Sequence, residues 1–218
     1  MPPQTSVPLV LPIGQDLGPA YEPGDTESES PIYGVRIGVK RLELTEPLYV
    51  AWRYAHGVGP LNETPWTEET YRQALQESAV DFPEDVAGLL KDLGLVQTVA
   101  PGGIEAARFA RAYRCNPQMV GLGNVPDRPE VFYLGLPEQP VLAVPAAVYA
   151  LWVNAPLEPS LWSGCAAMAA ELNGYLDATP PNDGVVRPET LLALFLATMP
   201  HMLLTRTMYL DVSWMTGG

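Results

Sequence analysis

The chain has 218 residues, enough for one large domain or two small ones. Its net charge of −13 disfavours nucleic acids and anionic lipids as partners, because both require a local positive potential. Two cysteines do not make a disulfide scaffold, and the sequence shows neither a basic, apolar leader nor an uninterrupted membrane span. We therefore expect a reduced, cytoplasmic protein that does not enter membranes.

Residues 1–30 are rich in proline and acidic residues and contain no Lys or Arg. A segment of this composition buries too little apolar surface to offset its loss of conformational entropy on folding. It is therefore predicted to be a flexible acidic tail. The alternative is that the apolar residues 7–13 dock as an extended strand on this chain or on a neighbour.

The rest of the chain contains an internal repeat. The residues that match at a constant offset of 100 positions are Leu42, Leu48, Tyr49 and Trp52 with Leu142, Val148, Tyr149 and Trp152. Upstream, residues 35–39 resemble residues 132–136, and downstream two Pro-Glu pairs begin leucine-rich segments. Because a repeat of fixed period decides the architecture, we predict an α+β protein of two duplicated units, 31–128 and 129–218.

In chain order, the elements predicted for the first unit are a strand at 32–40, helices at 46–56, 67–78 and 82–93, and a strand at 95–99. Thr67 is the predicted N-cap of the second helix. Asp81 and Glu84 form a capping-box pattern at the start of the third helix, and Gly94 suits its C′ position. In the second unit the corresponding segments are 131–136, 146–154, 161–176, 188–198 and 203–212.

Three helices followed by a hairpin-like wing is the plan of a winged-helix domain. The stretch Leu89-Leu-Lys-Asp-Leu-Gly-Leu-Val96 resembles the junction between third helix and wing in that superfamily. In outline, both halves resemble tandem winged-helix proteins. That group includes DNA-binding regulators and acidic adaptors such as segregation and condensation protein B, so the resemblance implies a regulatory or adaptor function without assigning roles to residues.

The third helix of a DNA-binding winged helix enters the major groove and needs Lys and Arg near the phosphates. Here residues 83–93 hold three acids and one base, and residues 188–198 hold one acid and no base. The second of these segments is apolar nearly all round, which indicates a buried or interface helix. The candidate interface residues are Leu191, Leu192, Leu194, Phe195 and, on the preceding helix, Met168.

One basic cluster is an exception. Arg108, Arg111 and Arg114 follow one another at intervals of three and would lie towards one side of a helix. A solvated face paired with nearby acids is the first interpretation. The alternatives are contact with an anion or nucleic acid, or an intramolecular contact with the acidic tail.

The residue pattern gives little support for a catalytic, metal-binding or cofactor-binding site. His56, His201, Cys115 and Cys165 lack metal-ligand spacing, and Gly121-Leu-Gly-Asn124 is an incomplete dinucleotide motif, predicted to be a turn. Cys165 and His201 could be drawn as nucleophile and base, but no third group orients them. We therefore predict no catalytic residues, no metal and no cofactor.

The leading hypothesis is a non-enzymatic regulator or adaptor that acts through protein–protein interaction. The apolar segments at 166–172 and 190–202 would be exposed in a monomer, so a homodimer or a stable hetero-complex is expected. A DNA-binding regulator that uses Arg108, Arg111, Arg114 and the wing after Leu95 is the alternative. A small-molecule-binding or catalytic module is the third, and the sequence offers no pocket for it.

Overall fold

Each half of this α+β protein has the same order of strands and helices. The computed structural model describes residues 7–21, 31–57, 66–177 and 184–214. The elements of the first half are β1 (Leu9–Pro12), β2 (Gln15–Ala20), β3 (Ile32–Ile37), β4 (Lys40–Leu44), α1 (Glu46–Tyr54), α2 (Glu68–Glu77), α3 (Val86–Asp92) and β5 (Val96–Val99). The helix α4 (Gly103–Ala112) connects the halves.

The second half repeats the sequence of one strand, three strands, three helices and one strand. Its elements are β6 (Tyr113–Pro117), β7 (Val120–Val125), β8 (Arg128–Leu136), β9 (Gln139–Pro145), α5 (Ala146–Asn154), a 3-10 turn (Ala155–Leu157), α6 (Leu161–Asp177), α7 (Pro188–Leu204) and β10 (Met208–Val212). The predicted boundary at 128/129 falls inside β8. Because β6 pairs with β10 and β7 pairs with β8, the second half begins upstream of that boundary.

Both halves use the same antiparallel pairings. The first strand of each half pairs with the last, β1 with β5 and β6 with β10, and the three middle strands form a meander. Val35 lies opposite Leu42 in the first meander, as Leu134 lies opposite Leu142 in the second. This register matches Val35 with Leu134, two positions away from the match that the sequence suggested.

β1 lies between the two hydrophobic cores, although the sequence placed it in a flexible tail. Leu9 and Leu11 pack in the core of the second half, and Val10 packs in the core of the first. Successive side chains of a strand point to opposite faces, so this short strand serves both cores at once. Residues 7–13 therefore agree with the alternative of a docked strand, and residues 15–20 form β2 where a tail was predicted, whereas residues 1–6 and 22–30 lie outside the described ranges.

The two halves are also joined by polar contacts around β10. The Gly14 amide donates to the Leu210 carbonyl at 2.7 Å, and the Gly38 amide donates to Asp211 Oδ1 at 2.6 Å. Asp211 is only 3% exposed, so these bonds form away from water. Such contacts keep their strength because little solvent competes for them.

Several predicted elements differ from the observed ones. The predicted strand 32–40 turns at Gly38, whose φ of 56° suits glycine, so residues 32–44 form the hairpin of β3 and β4. The N-cap of α3 is Asp85 and not Asp81, and α7 continues through Pro200 to Leu204. The strand after α3 pairs with β1 and not with a following strand, so it forms no hairpin wing. Residues 121–124 lie within β7 and not in a turn.

The predictions for α2, α5 and α6 match the structure closely. Thr67 caps α2 through its side chain, which accepts from the Thr70 amide. The helix α5 has its predicted limits, and α6 ends within one residue of the prediction. In the described part of the chain, every helix is too short or too polar to traverse a bilayer.

Candidate functional site

The three arginines of the predicted basic cluster belong to two different elements. Arg108 and Arg111 lie one turn apart on α4, which ends at Ala112, whereas Arg114 belongs to β6. Arg108 Nη1 lies 3.2 Å from Glu105 Oε2 in an exposed ion pair. The Arg111 guanidinium lies 4.2 Å from the centre of the Trp162 ring.

Arg114 is the most enclosed of the three, with its side chain 16% exposed. Its Nη2 lies 3.5 Å from Asp211 Oδ2, and its guanidinium lies 4.6 Å from the Trp214 ring centre. Each arginine of the cluster thus has its own partner within the chain. Asp16, the acid of the predicted tail that falls within the described residues, pairs with Arg206.

Most of the predicted interface residues lie inside the protein's own core. Leu191, Leu192 and Phe195 are buried among the helices of the second half. Met168 packs partly buried against the same core, and Leu194 is 38% exposed. The apolar character of α7 therefore serves folding of this chain, because the helix is surrounded on most sides by β1, β9, α4, α5 and α6.

The cysteines are buried side chains with raised pKa values. Cys115 packs with its Sγ 3.4 Å from Met208 Sδ, and burial raises the pKa of its thiol. Burial also raises the pKa of Cys165 to about 12. Because the thiolate is the nucleophilic form, both groups are unreactive at neutral pH. Among the described residues, no three His, Cys, Asp or Glu side chains are grouped so as to hold a metal ion.

An open cleft of about 370 Å³ lies where the end of α1 meets the end of α7. We call it the α1–α7 cleft; it is lined by Val50, Arg53, Tyr54, His56, Gly57, Leu204 and Arg206. Its walls come from both halves of the chain. Sequence analysis did not select this set, because its members are separated by about 150 positions along the chain.

A partly buried network of hydrogen bonds holds Arg206 at the edge of the α1–α7 cleft. Arg206 Nη1 lies 2.8 Å from Asp16 Oδ2, while Asp16 Oδ1 accepts from the Tyr49 hydroxyl at 2.6 Å and from the Gly18 amide at 2.9 Å. Burial alone would raise the pKa of Asp16, but these donors outweigh it and the pKa is lowered. Burial and the bond to Asp16 raise the pKa of Tyr49 to about 12. The carboxylate is therefore fixed in its charged form.

His56 is a neutral member of the cleft. Its ring packs edge-on against Trp52 at 4.7 Å, and its Nδ1 lies 3.3 Å from the Trp52 carbonyl oxygen. Burial and the charge of Arg206 lower the pKa of His56 to about 4. A carbonyl oxygen only accepts, so Nδ1 carries the proton of the neutral ring and Nε2 is an acceptor.

A second distinctive surface is the outer face of α3. Leu89 of α3 and Leu93, the C-cap residue of this helix, lie one turn apart and are 42% and 44% exposed, whereas Val86 and Leu90 are buried. The nearest base on this helix, Lys91, is paired with Glu68 of α2. We call Leu89 and Leu93 the α3 apolar pair.

Comparison of the chain with protein-family models, curated proteins and solved structures gives no match. The α3 apolar pair and the α1–α7 cleft are therefore interpreted from their own chemistry.

Proposed function

We propose that this protein is a non-enzymatic regulator or adaptor that acts by binding another protein chain through the outer face of α3. The observation that carries this proposal is the exposure of the α3 apolar pair beside charged residues that are mainly acidic. Side chains four positions apart on a helix lie on one face, so Leu89 and Leu93 form a continuous apolar strip. Exposed apolar strips rimmed by polar groups are typical of protein-binding surfaces.

The charge around this strip favours a protein partner over a nucleic acid. Asp85 and Asp92 are exposed on α3 or at its start, and Lys91 is engaged by Glu68. A phosphate backbone would meet negative charge here, whereas a polypeptide with apolar anchors and flanking Lys or Arg would be complementary to it. Arg108, Arg111 and Arg114 each contact a partner within the chain, which favours a structural role for them over contacts with phosphates.

We further propose that the two halves descend from the duplication of one α+β unit. The repeated order of elements and the matched register of Val35 and Leu134 support this origin. If Gly94 is matched with Arg206 at the helix ends, the residues of α7 that correspond to Leu89 and Leu93 are His201 and Thr205. The apolar pair is then a feature of the first half alone, which assigns partner binding to α3 and a supporting role to α7.

The double variant Leu89→Asp, Leu93→Asp tests the proposal by affinity capture from the source cells, with and without nuclease. Its matched control is Val153→Asp, Leu157→Asp, which changes two equally spaced apolar residues that are also exposed, at 44% and 76%. The native chain and the control are expected to retain a nuclease-resistant partner. The amount of partner captured by the α3 variant is expected to fall at least tenfold, because a few central anchors supply most of the binding energy of an interface.

Equal capture by both variants, or capture that disappears with nuclease, would contradict this assignment. Light scattering of the native chain and the two variants tests whether the partner is a second copy of the chain. A dimer that the α3 variant alone converts to a monomer would make the protein its own partner.

A further inference from the structure

The α1–α7 cleft contains an arginine in a backbone conformation that favours glycine. Arg206 has a φ of 56° directly after α7, and the Thr207 amide behind it donates to the Met202 carbonyl at 3.0 Å. The end of α3 has the same pattern, with the Leu95 amide donating to the Leu90 carbonyl at 2.9 Å, but its left-handed residue is Gly94, with a φ of 72°. Strained positions that keep a side chain commonly have a functional reason for it.

The other polar residues of this region also differ from their counterparts in the second half. Aligned through Tyr49 with Tyr149 and Trp52 with Trp152, Arg53 corresponds to Val153 and His56 to Pro156. The second half thus completes the same set of elements with apolar residues at these positions.

The carboxylate beneath Arg206 differs in the same way. Each meander has a register shift at the same place in its first strand, between Asp16 and Gly18 and between Gly121 and Gly123. Asp16 therefore corresponds to Gly121. The polar residues of the cleft and its support are not needed for this arrangement of strands and helices, since the second half forms it without them.

We propose that the α1–α7 cleft is a binding site for a small organic carboxylate, held by the guanidinium groups of Arg53 and Arg206. A guanidinium presents paired N–H donors that match the two oxygens of a carboxylate. Asp16 occupies Arg206 through Nη1, which leaves other donors of that group for a ligand. The Arg53 side chain is exposed at the cleft, and its guanidinium lies 5.9 Å from the centre of the Tyr49 ring, a contact that leaves its N–H donors available.

The remaining walls define the rest of the ligand. Val50, Tyr54 and Leu204 give the cleft an apolar side. Among the described residues, the cleft of about 370 Å³ has only seven lining residues, so we expect a small ligand. His56 offers an acceptor at Nε2, which suits a ligand with a hydroxyl or N–H group near its carboxylate.

Mandelate is a suitable probe, because it joins a carboxylate, a neighbouring hydroxyl group and one apolar ring. We expect mandelate to bind saturably at millimolar or lower concentrations. NMR measures this binding through shifts of the Arg53 and Arg206 Nε–H resonances at constant ionic strength. Benzoate should bind more weakly, and phenylethanediol, which lacks the carboxylate, should not bind. Arg53→Val and Arg206→Gly should each weaken mandelate binding at least tenfold. Each replaces an arginine by the residue at the corresponding position of the other half, Val153 or Gly94.

Two controls separate recognition from folding. Arg72→Ala removes an exposed cation of α2 outside the cleft and should leave mandelate binding unchanged. Gly94→Arg places an arginine at the corresponding helix end and should lower the melting temperature without altering binding, because only the backbone strain is reproduced. Since Arg206→Gly relieves strain, its loss of binding is expected with a melting temperature close to that of the native chain.

The proposal is overturned if neither mandelate nor benzoate produces a saturable shift of both arginines at these concentrations. It is equally overturned if inorganic phosphate saturates the cleft and the carboxylates do not, or if the two cleft variants bind mandelate as the native chain does. These outcomes are independent of partner capture by the α3 apolar pair, since the variants used in the two tests do not overlap.

Discussion

His56 shows how a single side chain makes this protein sensitive to pH. An unfolded histidine has a pKa of about 6.5, whereas the pKa of His56 in the folded protein is about 4. The charged groups that act on it, Arg206 and Asp16, have opposite effects, but burial is the largest cause and favours the neutral ring. Between these two values the unfolded chain binds more protons than the folded one.

The stabilisation associated with a neutral His56 is therefore complete above about pH 6.5 and is lost progressively as the pH falls towards 4. At about pH 5 we expect a loss of about 2 kcal/mol in the free energy of unfolding from this group, measured by urea denaturation. Over the same interval, the free energy of unfolding of His56→Gln should fall by about 2 kcal/mol less than that of the native protein. A pH dependence equal to that of the native protein would show that another group is responsible.

At the scale of elements, β1 contributes side chains to both hydrophobic cores although it has only four residues. Four residues pair with β5, and Leu11 is fully buried in the core of the second half. The sequence predicted a tail because the average composition of residues 1–30 is acidic and rich in proline, which conceals a short apolar run. Strand propensity is local, but the partner strand lies almost ninety positions away and cannot be deduced from the run itself.

Leu11→Ala is expected to lower the free energy of unfolding by about 2–4 kcal/mol, because it leaves a cavity in a core with little freedom to collapse. Val7→Ala is the matched control from the same segment, and its side chain is 58% exposed. Its effect should stay within about 0.5 kcal/mol. Chemical denaturation measures both free energies of unfolding. Similarly small effects of the two substitutions would mean that residues 7–13 do not pack in the core and belong to the predicted tail.

The helices show the same division between local and distant information. Thr67 caps α2 as predicted, because the capping bond involves only residues three apart. In contrast, this helix was predicted to end at residue 198, yet α7 continues through Pro200 to Leu204 while its inner residues Phe195 and Met199 are buried. Tertiary burial here outweighs the helix-breaking tendency of proline.

At the scale of the whole molecule, β1 and the contacts of β10 couple the two halves. The Trp52 indole donates to the Ile13 carbonyl at 3.1 Å, and the Trp152 indole donates to the Thr207 carbonyl at 3.3 Å. Ile13 follows β1 and lies in the core of the second half, although Trp52 belongs to the first. Opening either half would therefore disturb the other, and the protein should unfold as one cooperative unit.

Hydrogen exchange of the two indole N–H groups tests this coupling. Both protons are expected to exchange through global unfolding, with free energies that agree within about 0.5 kcal/mol. Trp214, which is 56% exposed, provides a fast-exchanging reference within the same chain. Exchange of Trp52 at a clearly lower free energy than Trp152 would mean that the first half opens independently.

By itself, the sequence determined the acidic charge, the α+β class and the approximate limits of α2, α5 and α6. These follow from composition and from patterns that extend over a few residues. Only the tertiary structure decided that β1 joins both cores, that α7 is enclosed and that Arg53 and Arg206 line one cleft. The reason is physical: burial, ion pairing and strand pairing depend on which distant segments meet, and no local pattern specifies that meeting.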